Sequence, residues 1–193
     1  MRIIGGIAAG RILQVPKGLG VRPTPDLVKQ AIFNSLGGRI LDARVLDLFS
    51  GSGALGLESL SRGASYVLSI EKSAKHAKWI QGNVRECNIP GERHRMKVSD
   101  VFPVLKQLVE QGETFDLIMA DPPFGEKNVN RRSQSLSQRL LDLPDLPKLL
   151  SASGLFLLGH TKRDSITITP WWQQGKTMKH GDSFFEFLTP IEA

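Results

Sequence analysis

The chain has 193 residues, of which 40% are hydrophobic, and it carries a formal net charge of +6. This length suits one domain with a small appendage, and the basic balance favours polyanionic partners such as nucleic acids. The single cysteine excludes an intrachain disulfide and a cysteine metal cluster, and the four histidines show no metal-ligand spacing. Because no apolar run approaches the roughly 18 residues of a membrane span and the start lacks a secretory signal, we expect a cytoplasmic protein without membrane contact.

The first 40 residues are predicted to form an N-terminal extension, and residues 41–193 the main domain. Two short apolar stretches, Arg2–Ile4 and Arg11–Val15, flank a glycine-containing segment, which is typical of a small β-hairpin. A helix should follow, with Thr24 as its N-cap and Pro25 as its first residue. Gly37 and Gly38 are predicted to end this helix.

The remainder of the chain alternates predicted strands and helices. The predicted strands are Val45–Phe49, Tyr66–Ile70, Met96–Val98, Phe115–Ala120, Leu155–Leu158, Ser165–Thr169 and Phe184–Leu188. The predicted helices are Ala54–Ser61, Ala74–Cys87, Val101–Gln111 and Leu136–Leu150, the last of which Pro144 and Pro147 must break. Such alternation predicts an α/β fold with a doubly wound, mostly parallel, Rossmann-like sheet.

Acidic residues stand at the end of four predicted strands. Asp47, Glu71, Asp100 and Asp121 all lie at or just beyond a strand's carboxyl end. Because parallel sheets of this kind bind ligands at the carboxyl edge, near the switch in strand order, these residues should outline one cleft.

A glycine turn joins the first of these strands to its helix. Gly51, Gly53 and Gly56 have the G-x-G-x-x-G spacing, which lets a ligand approach the backbone and an anion meet the helix amino end. A dinucleotide phosphate would satisfy this turn, and so would the carboxylate of S-adenosylmethionine. Glu71 ends the next strand at about the spacing used to bind ribose hydroxyls, so the pattern favours a nucleoside cofactor.

The most specific motif is Asp121-Pro122-Pro123-Phe124, directly after a buried strand. Two prolines end the strand and fix the backbone, so that the Pro122 carbonyl and the Asp121 carboxylate form a rigid pair of acceptors. Such a pair can hold both hydrogens of an exocyclic amine and turn its nitrogen lone pair toward a sulfonium methyl group. Phe124 can stack on the face of a base. The motif therefore predicts methylation of a planar amine, mainly by alignment, and it requires no metal.

The chain resembles the bacterial small-subunit ribosomal RNA guanine-N2-methyltransferase D family. The resemblance covers nearly the whole chain, and it depends on these blocks: Arg2–Gly6, Gly10-Arg11, Arg22–Thr24, Phe33-Asn34, Asp47–Glu58 and Asp121–Phe124. It implies a seven-stranded class I methyltransferase fold whose last strand is antiparallel. It also implies methylation of the N2 amine of one guanine in 16S rRNA, during assembly of the small ribosomal subunit.

The resemblance also implies roles for single residues. Asp47 and Gly51, with Gly53 in the same turn, would border the methionine part of S-adenosylmethionine, and Glu71 would bind its ribose. By analogy with other methyltransferases, Asp100 would take the adenine amine and the backbone of Val101 its ring nitrogen, although Asp100 also suits a plain helix N-cap. Asp121 and Phe124 would face the target base.

Alternative functions and partners are also compatible with parts of the sequence. Methylation of adenine N6 in DNA or RNA would use the same Asp-Pro-Pro motif. A nicotinamide-dependent oxidoreductase would use the glycine turn but leave that motif unexplained, and a non-catalytic RNA-binding assembly factor would not require either. We expect a monomer whose basic residues grip phosphates beside the cleft. These residues are Arg2, Arg11, Lys17, Arg22, Lys29, Lys127, Arg131 and Arg132.

Overall fold

The structure, a computed structural model, describes residues 1–15, 24–123 and 132–191. In this part of the chain, seven strands form one sheet in the order β3-β2-β1-β4-β5-β7-β6. The strands are β1 Arg44–Leu48, β2 Tyr66–Glu71, β3 His94–Val98, β4 Phe115–Ala120, β5 Leu150–Thr161, β6 Trp172–His180 and β7 Ser183–Pro190. The helices are α1 Asp26–Leu36, α2 Ala54–Ser61, α3 Ala74–Glu86, α4 Val101–Glu110 and α5 Leu136–Leu141.

Strands β1 to β5 are parallel to one another, and β1 and β4 lie at the centre of the sheet. Four of the five residues of β1 are buried, because helices cover both faces of the sheet. Apolar residues of α1, α2 and α3 pack on one face, and those of α4 and α5 pack on the other. Since β2 lies on one side of β1 and β4 on the other, the strand order reverses here, and a crevice opens at the carboxyl ends of β1 and β4.

The last strand, β7, inserts between β5 and β6 and is antiparallel to both. The predicted α/β class, the seven strands and the antiparallel last strand are therefore confirmed. The predicted break in the helix after Leu136 is also confirmed, since α5 ends at Leu141 and a short 3-10 turn, Leu146–Leu149, leads into β5.

The prediction of a strand at Ser165–Thr169 is wrong, and β6 begins only at Trp172. The side-chain amide of Gln138, which is fully buried, replaces a neighbouring strand at this place. Its Nε2 donates to the carbonyl of Thr167 at 3.0 Å, and its Oε1 accepts from the Thr167 N–H at 2.7 Å. An extended segment whose backbone groups are hydrogen-bonded to a side chain in this way does not pair with a neighbouring strand.

The start of α1 also differs from its prediction. Pro25 is the N-cap, Asp26 is the first helical residue, and no side chain caps the helix. Thr24 lies one residue too early to cap α1. Its hydroxyl instead donates to Oδ2 of Asp121 at 3.0 Å, far away in the sequence.

The N-terminal segment packs closely on α2 and α3. The predicted hairpin is reduced to one antiparallel bridge, between Arg2 and Ile12. The buried carboxylate of Glu58 accepts from the N–H groups of Ile4 and Gly5 at 2.8 Å each, and Ile3 lies in the same core cluster as the α2 residue Leu57. The boundary at residue 40 stays a prediction.

Two further side chains hold this segment in place. The amide of Asn83 on α3 pairs with both backbone groups of Gln14, at 2.9 Å each. Lys29, fully buried, donates to the carbonyl of Arg2 and lies 3.6 Å from Glu58. The expectation that Lys29 binds phosphates is therefore wrong, because its ammonium group is buried and bonds to groups inside the protein. In the described residues, no helix is long and apolar enough to cross a membrane.

Candidate active site

A small pocket of about 50 Å³ occupies the crevice between β1 and β4. Its wall combines the turn after β1, the residue after β4 and the segment before α1. The lining residues are Thr24, Asp47, Phe49, Ser50, Gly51, Ser52, Ala54, Leu55 and Asp121. The structure thus brings together the glycine turn and Asp121, whereas Glu71 and Asp100, which were expected in the same cleft, do not line this pocket.

The glycine turn is held in a strained, closed conformation. Phe49 has a φ of 57°, a left-handed value that costs energy for a bulky residue and is found mainly at functional turns. Gly53 has a φ of 76° and is the N-cap of α2. Its N–H donates to the carbonyl of Ser50 at 2.6 Å. The amino end of α2, where backbone N–H groups favour negative charge, therefore borders the pocket.

Asp47 is the most perturbed acid of the site. Burial raises the pKa of its carboxyl to about 7, and the charges of Glu71 and Asp121 raise it further, against a lowering by Ser50 and the backbone of Gly56. In the described part of the chain, no hydrogen bond of good geometry reaches Oδ2. An unsatisfied buried acceptor beside a pocket is suited to a ligand donor.

Gly56 explains how Asp47 fits beneath α2. A Cβ at Gly56 would lie 2.8 Å from Oδ2 of Asp47 and 3.1 Å from Val67. The third glycine of the turn is therefore required for close packing of the helix on β1 and β2.

Glu71 holds the glycine turn through its carboxylate. Oε2 accepts from the Gly51 N–H at 2.8 Å and Oε1 from the Ser73 N–H at 2.7 Å. His76 Nδ1 lies 3.5 Å from Oε1. Carboxylate oxygens accept more than one hydrogen bond each, so these contacts leave acceptor capacity for a diol.

Asp100 acts as the N-cap of α4 in this structure. Its Oδ1 accepts from the Phe102 N–H at 3.1 Å, and Lys72 lies 3.2 Å from Oδ2. Val101 is the first residue of α4, and its side chain is buried in the core. Both residues follow β3, which two strands separate from β4, and neither lines the pocket.

Asp121 is half-buried, and the buried Pro122 and the exposed Pro123 follow it. Thr24 contacts Oδ2 at 3.0 Å, while a Cβ at Gly159 of β5 would lie 2.7 Å from Oδ1. Thr24 therefore positions Oδ2, and the lack of a side chain at Gly159 leaves room for Oδ1. The predicted role of Phe124 lies outside the described residues.

Apart from the buried Lys29, the basic residues expected beside the cleft divide into three groups. Lys17, Arg22, Lys127 and Arg131 lie outside the described residues. Arg2 pairs with Asp26 at 3.2 Å and Arg132 with Asp142, and all four side chains are at least partly exposed. Arg11 is exposed.

Sequence reasoning missed that Thr24 contacts the carboxylate of Asp121 and that Gly159 leaves room beside it. Thr24 belongs to the Arg22–Thr24 block that carries the resemblance, and this was a signal of a role beyond helix capping. No local pattern marks Gly159, because its partner Asp121 is distant in sequence.

Comparisons with known proteins agree with this geometry. A family model described as "Conserved hypothetical protein 95" matches residues 1–189. The chain is 40% identical over 124 residues to the ribosomal RNA small subunit methyltransferase D of Escherichia coli K12, a match that covers 64% of this chain and 60% of that protein. The Haemophilus influenzae protein of the same name is 36% identical over 137 residues, covering 71% and 69%. A solved structure titled "Putative methyltransferase yhhF from Escherichia coli" has a TM-score of 0.76 and 28% identity, covering 98% of this chain and 97% of that one.

Proposed function

Because the chain belongs to the family described as conserved hypothetical protein 95, we propose that it methylates the exocyclic N2 amine of a guanine in 16S rRNA, using S-adenosylmethionine. One observation carries the proposal: a single pocket is lined by the glycine turn and by Asp121. A cofactor at the turn and an amine at Asp121 would therefore be neighbours.

The residues of the crevice fit S-adenosylmethionine. Gly51 and Gly53 bring backbone near the pocket at the amino end of α2, where a carboxylate is favoured. The unsatisfied Oδ2 of Asp47 can accept from the ammonium of the methionine part, and Glu71 can accept from the ribose hydroxyls. Asp100 and Val101 would contact the adenine. Bound there, the cofactor supplies an electrophilic methyl carbon attached to a sulfonium.

Asp121, Pro122 and Phe124 are the proposed catalytic residues. The Asp121 carboxylate and the Pro122 carbonyl accept the two amine hydrogens, and Phe124 stacks on the base. This arrangement directs the nitrogen lone pair at the methyl carbon, and such alignment is worth up to about 7–11 kcal/mol in favourable cases. As the carbon–nitrogen bond forms and the carbon–sulfur bond breaks, the nitrogen loses one proton, for which Asp121 is the hydrogen-bonded acceptor.

The substrate assignment depends on three kinds of support. The Asp-Pro-Pro motif supports an amine on a planar ring, and the relatives named above support ribosomal RNA of the small subunit. The blocks Arg2–Gly6 and Arg22–Thr24, which lie outside the shared methyltransferase core, support guanine N2. We further propose that the protein acts as a monomer in the cytoplasm, on the assembling small subunit.

The experiment combines isotope-labelled S-adenosylmethionine with naked 16S rRNA, small subunits and DNA, followed by digestion and mass spectrometry of the nucleosides. We expect N2-methylguanosine from the ribosomal substrates. N6-methyladenosine would instead establish the adenine alternative, and no transfer to either RNA substrate would reject the proposal.

The residue test uses Asp121→Ala, with Asp145→Ala as its control. Asp145 is 60% exposed and pairs with Lys148, outside the pocket. Asp121→Ala should abolish transfer while cofactor binding, measured by calorimetry, stays close to that of the wild type. Full activity of this variant would refute the mechanism.

A further inference from the structure

A second concave surface lies on α3, outside the crevice, with a volume of about 440 Å³. We name it the α3 groove, and its lining includes Gln14, Lys75, Lys78, Trp79, Asn83 and Arg85. The proposed reaction does not use any of them.

The floor of the groove is rigid. The buried side chain of Asn83 bonds both backbone groups of Gln14, at 2.9 Å each. The indole of Trp79 is half-buried beside this clamp. Gly82 also lines the groove, and a Cβ there would meet no atom within 4 Å.

The rim of the groove is basic. Lys75, Lys78 and Arg85 are exposed and follow each other at spacings of three and seven residues, which places them on one side of the helix. Among the described residues, none of these three cations is in an ion pair. Glu86 is a carboxylate of the same groove, so the cations outnumber the anion. Some other cations of the protein, such as Arg44 with Glu113, are paired.

The row of cations starts near the crevice. α3 begins three residues after Glu71, which ends β2 and holds the glycine turn. From Lys75 to Arg85 the helix rises about 15 Å, a span of several nucleotides. A strand of nucleic acid leaving the crevice beside Glu71 can therefore continue along α3.

We propose that the α3 groove binds a single-stranded segment of RNA, with its phosphates on Lys75, Lys78 and Arg85 and one base stacked on Trp79. Unpaired cations beside a half-buried aromatic ring suit a single strand, because phosphates need charge and unstacked bases need a planar surface. The inference deepens the proposed function, and it rests on RNA being the substrate.

The test is a binding titration with a fluorescent single-stranded RNA of twelve nucleotides at several salt concentrations. The double variant Lys78→Glu/Arg85→Glu should weaken binding and flatten the slope of log K against log salt by about 1.4, since each phosphate on a single strand contributes about 0.7. Trp79→Ala should weaken binding about tenfold to a hundredfold, and Trp79→Phe should restore most of it.

The matched control is Lys106→Glu/Lys148→Glu, which makes the same change in net charge. These lysines are 81% and 66% exposed and lie in other parts of the surface. An equal loss of RNA binding in the control would overturn the proposal, because net charge alone would explain it. Binding of the wild type to anionic phospholipid vesicles instead of RNA would overturn it as well.

The two proposals can fail separately. If the wild type methylates 16S rRNA and the groove variants leave both RNA binding and the KM for rRNA unchanged, the groove is refuted and the function stands. If the groove variants weaken RNA binding but the wild type transfers no methyl group to rRNA, the groove stands and the function is refuted. Circular dichroism and cofactor affinity, unchanged in all variants, exclude misfolding as the cause.

Discussion

The hydroxyl of Thr24 donates a hydrogen bond to Oδ2 of Asp121 across 3.0 Å, joining the segment before α1 to the residue that follows β4. Thr24 is buried, so water does not readily replace it. We infer that Thr24 fixes the rotamer in which Asp121 meets its amine.

Thr24→Val should therefore lower kcat by about tenfold to a hundredfold, because a hydrogen bond to a charged group contributes about 1.5–3 kcal/mol. The affinity for S-adenosylmethionine should not change. Thr24→Ser keeps the hydroxyl and should retain most activity, and Thr114→Val, an exposed site before β4, should retain all of it. Equal kcat values for Thr24→Val and wild type, in single-turnover methyl transfer, would contradict this role.

The raised pKa of Asp47, about 7 against 3.8 for the ordinary group, makes a prediction about pH and stability. Between these two values the unfolded chain releases a proton that the folded protein retains, so the contribution of Asp47 is full below pH 4 and is lost as the pH rises to 7. Relative to Asp47→Asn, the wild type should lose about 1.4 kcal/mol of unfolding free energy per pH unit in this window.

Urea unfolding of both proteins at pH 4, 5, 6, 7 and 8 measures this difference. It should level off above pH 7, and a difference that stays constant from pH 4 to 8 would show that Asp47 is ionised throughout. At pH 8, where Asp47 is ionised, Asp47→Asn should also bind S-adenosylmethionine more weakly than the wild type, because an amide carries no charge to attract the ammonium.

Gly56→Ala should destabilise the protein, since its Cβ would lie 2.8 Å from Oδ2 of Asp47 and overpacking costs about 1–3 kcal/mol. The control is Gly82→Ala on α3, where the added Cβ meets nothing within 4 Å. That change should stabilise the protein by up to about 1 kcal/mol, because alanine favours a helix over glycine. Thermal unfolding of the two variants should shift in opposite directions.

Glu58→Gln should destabilise the protein by about 3–5 kcal/mol, because the fully buried Lys29 would lose its buried charged partner and keep only the partly exposed Asp26. The same change at Glu110, whose pair with Lys106 is exposed, should cost less than about 1 kcal/mol. Comparable losses at the two positions, in chemical denaturation, would mean that the buried network contributes little.

Local patterns were sufficient to predict most of the fold. Buried strands such as β1 and β4 are continuous apolar runs, and the glycines and prolines that end them are visible in the sequence. The comparisons also confirm the resemblance to the family of methyltransferases. Strand β6 was missed because it is an edge strand whose buried residues are Trp172 and Met178 alone, so it lacks an alternating pattern.

The candidate site was predicted as a set of residues but not as a set of contacts. The position of Asp47, Glu71 and Asp121 at strand ends follows from topology. The bond from Gly51 to Glu71 and the bond from Thr24 to Asp121 join segments 20 and 97 residues apart. Such contacts depend on the packing of several elements at once, and no local spacing encodes them.

The docking of the N-terminal segment has a consequence for the order in which the chain folds. The partners of its backbone and side chains, Glu58, Asn83 and Asp121, lie 53 to 97 residues further along the chain. During synthesis these residues emerge long before their partners, and Thr24 has no Asp121 to contact until β4 has been made. In a nascent chain, the carboxylate of Asp121 is therefore ordered only after Thr24 has come into contact with the residue that follows β4. The ability to transfer a methyl group should accordingly appear late in folding.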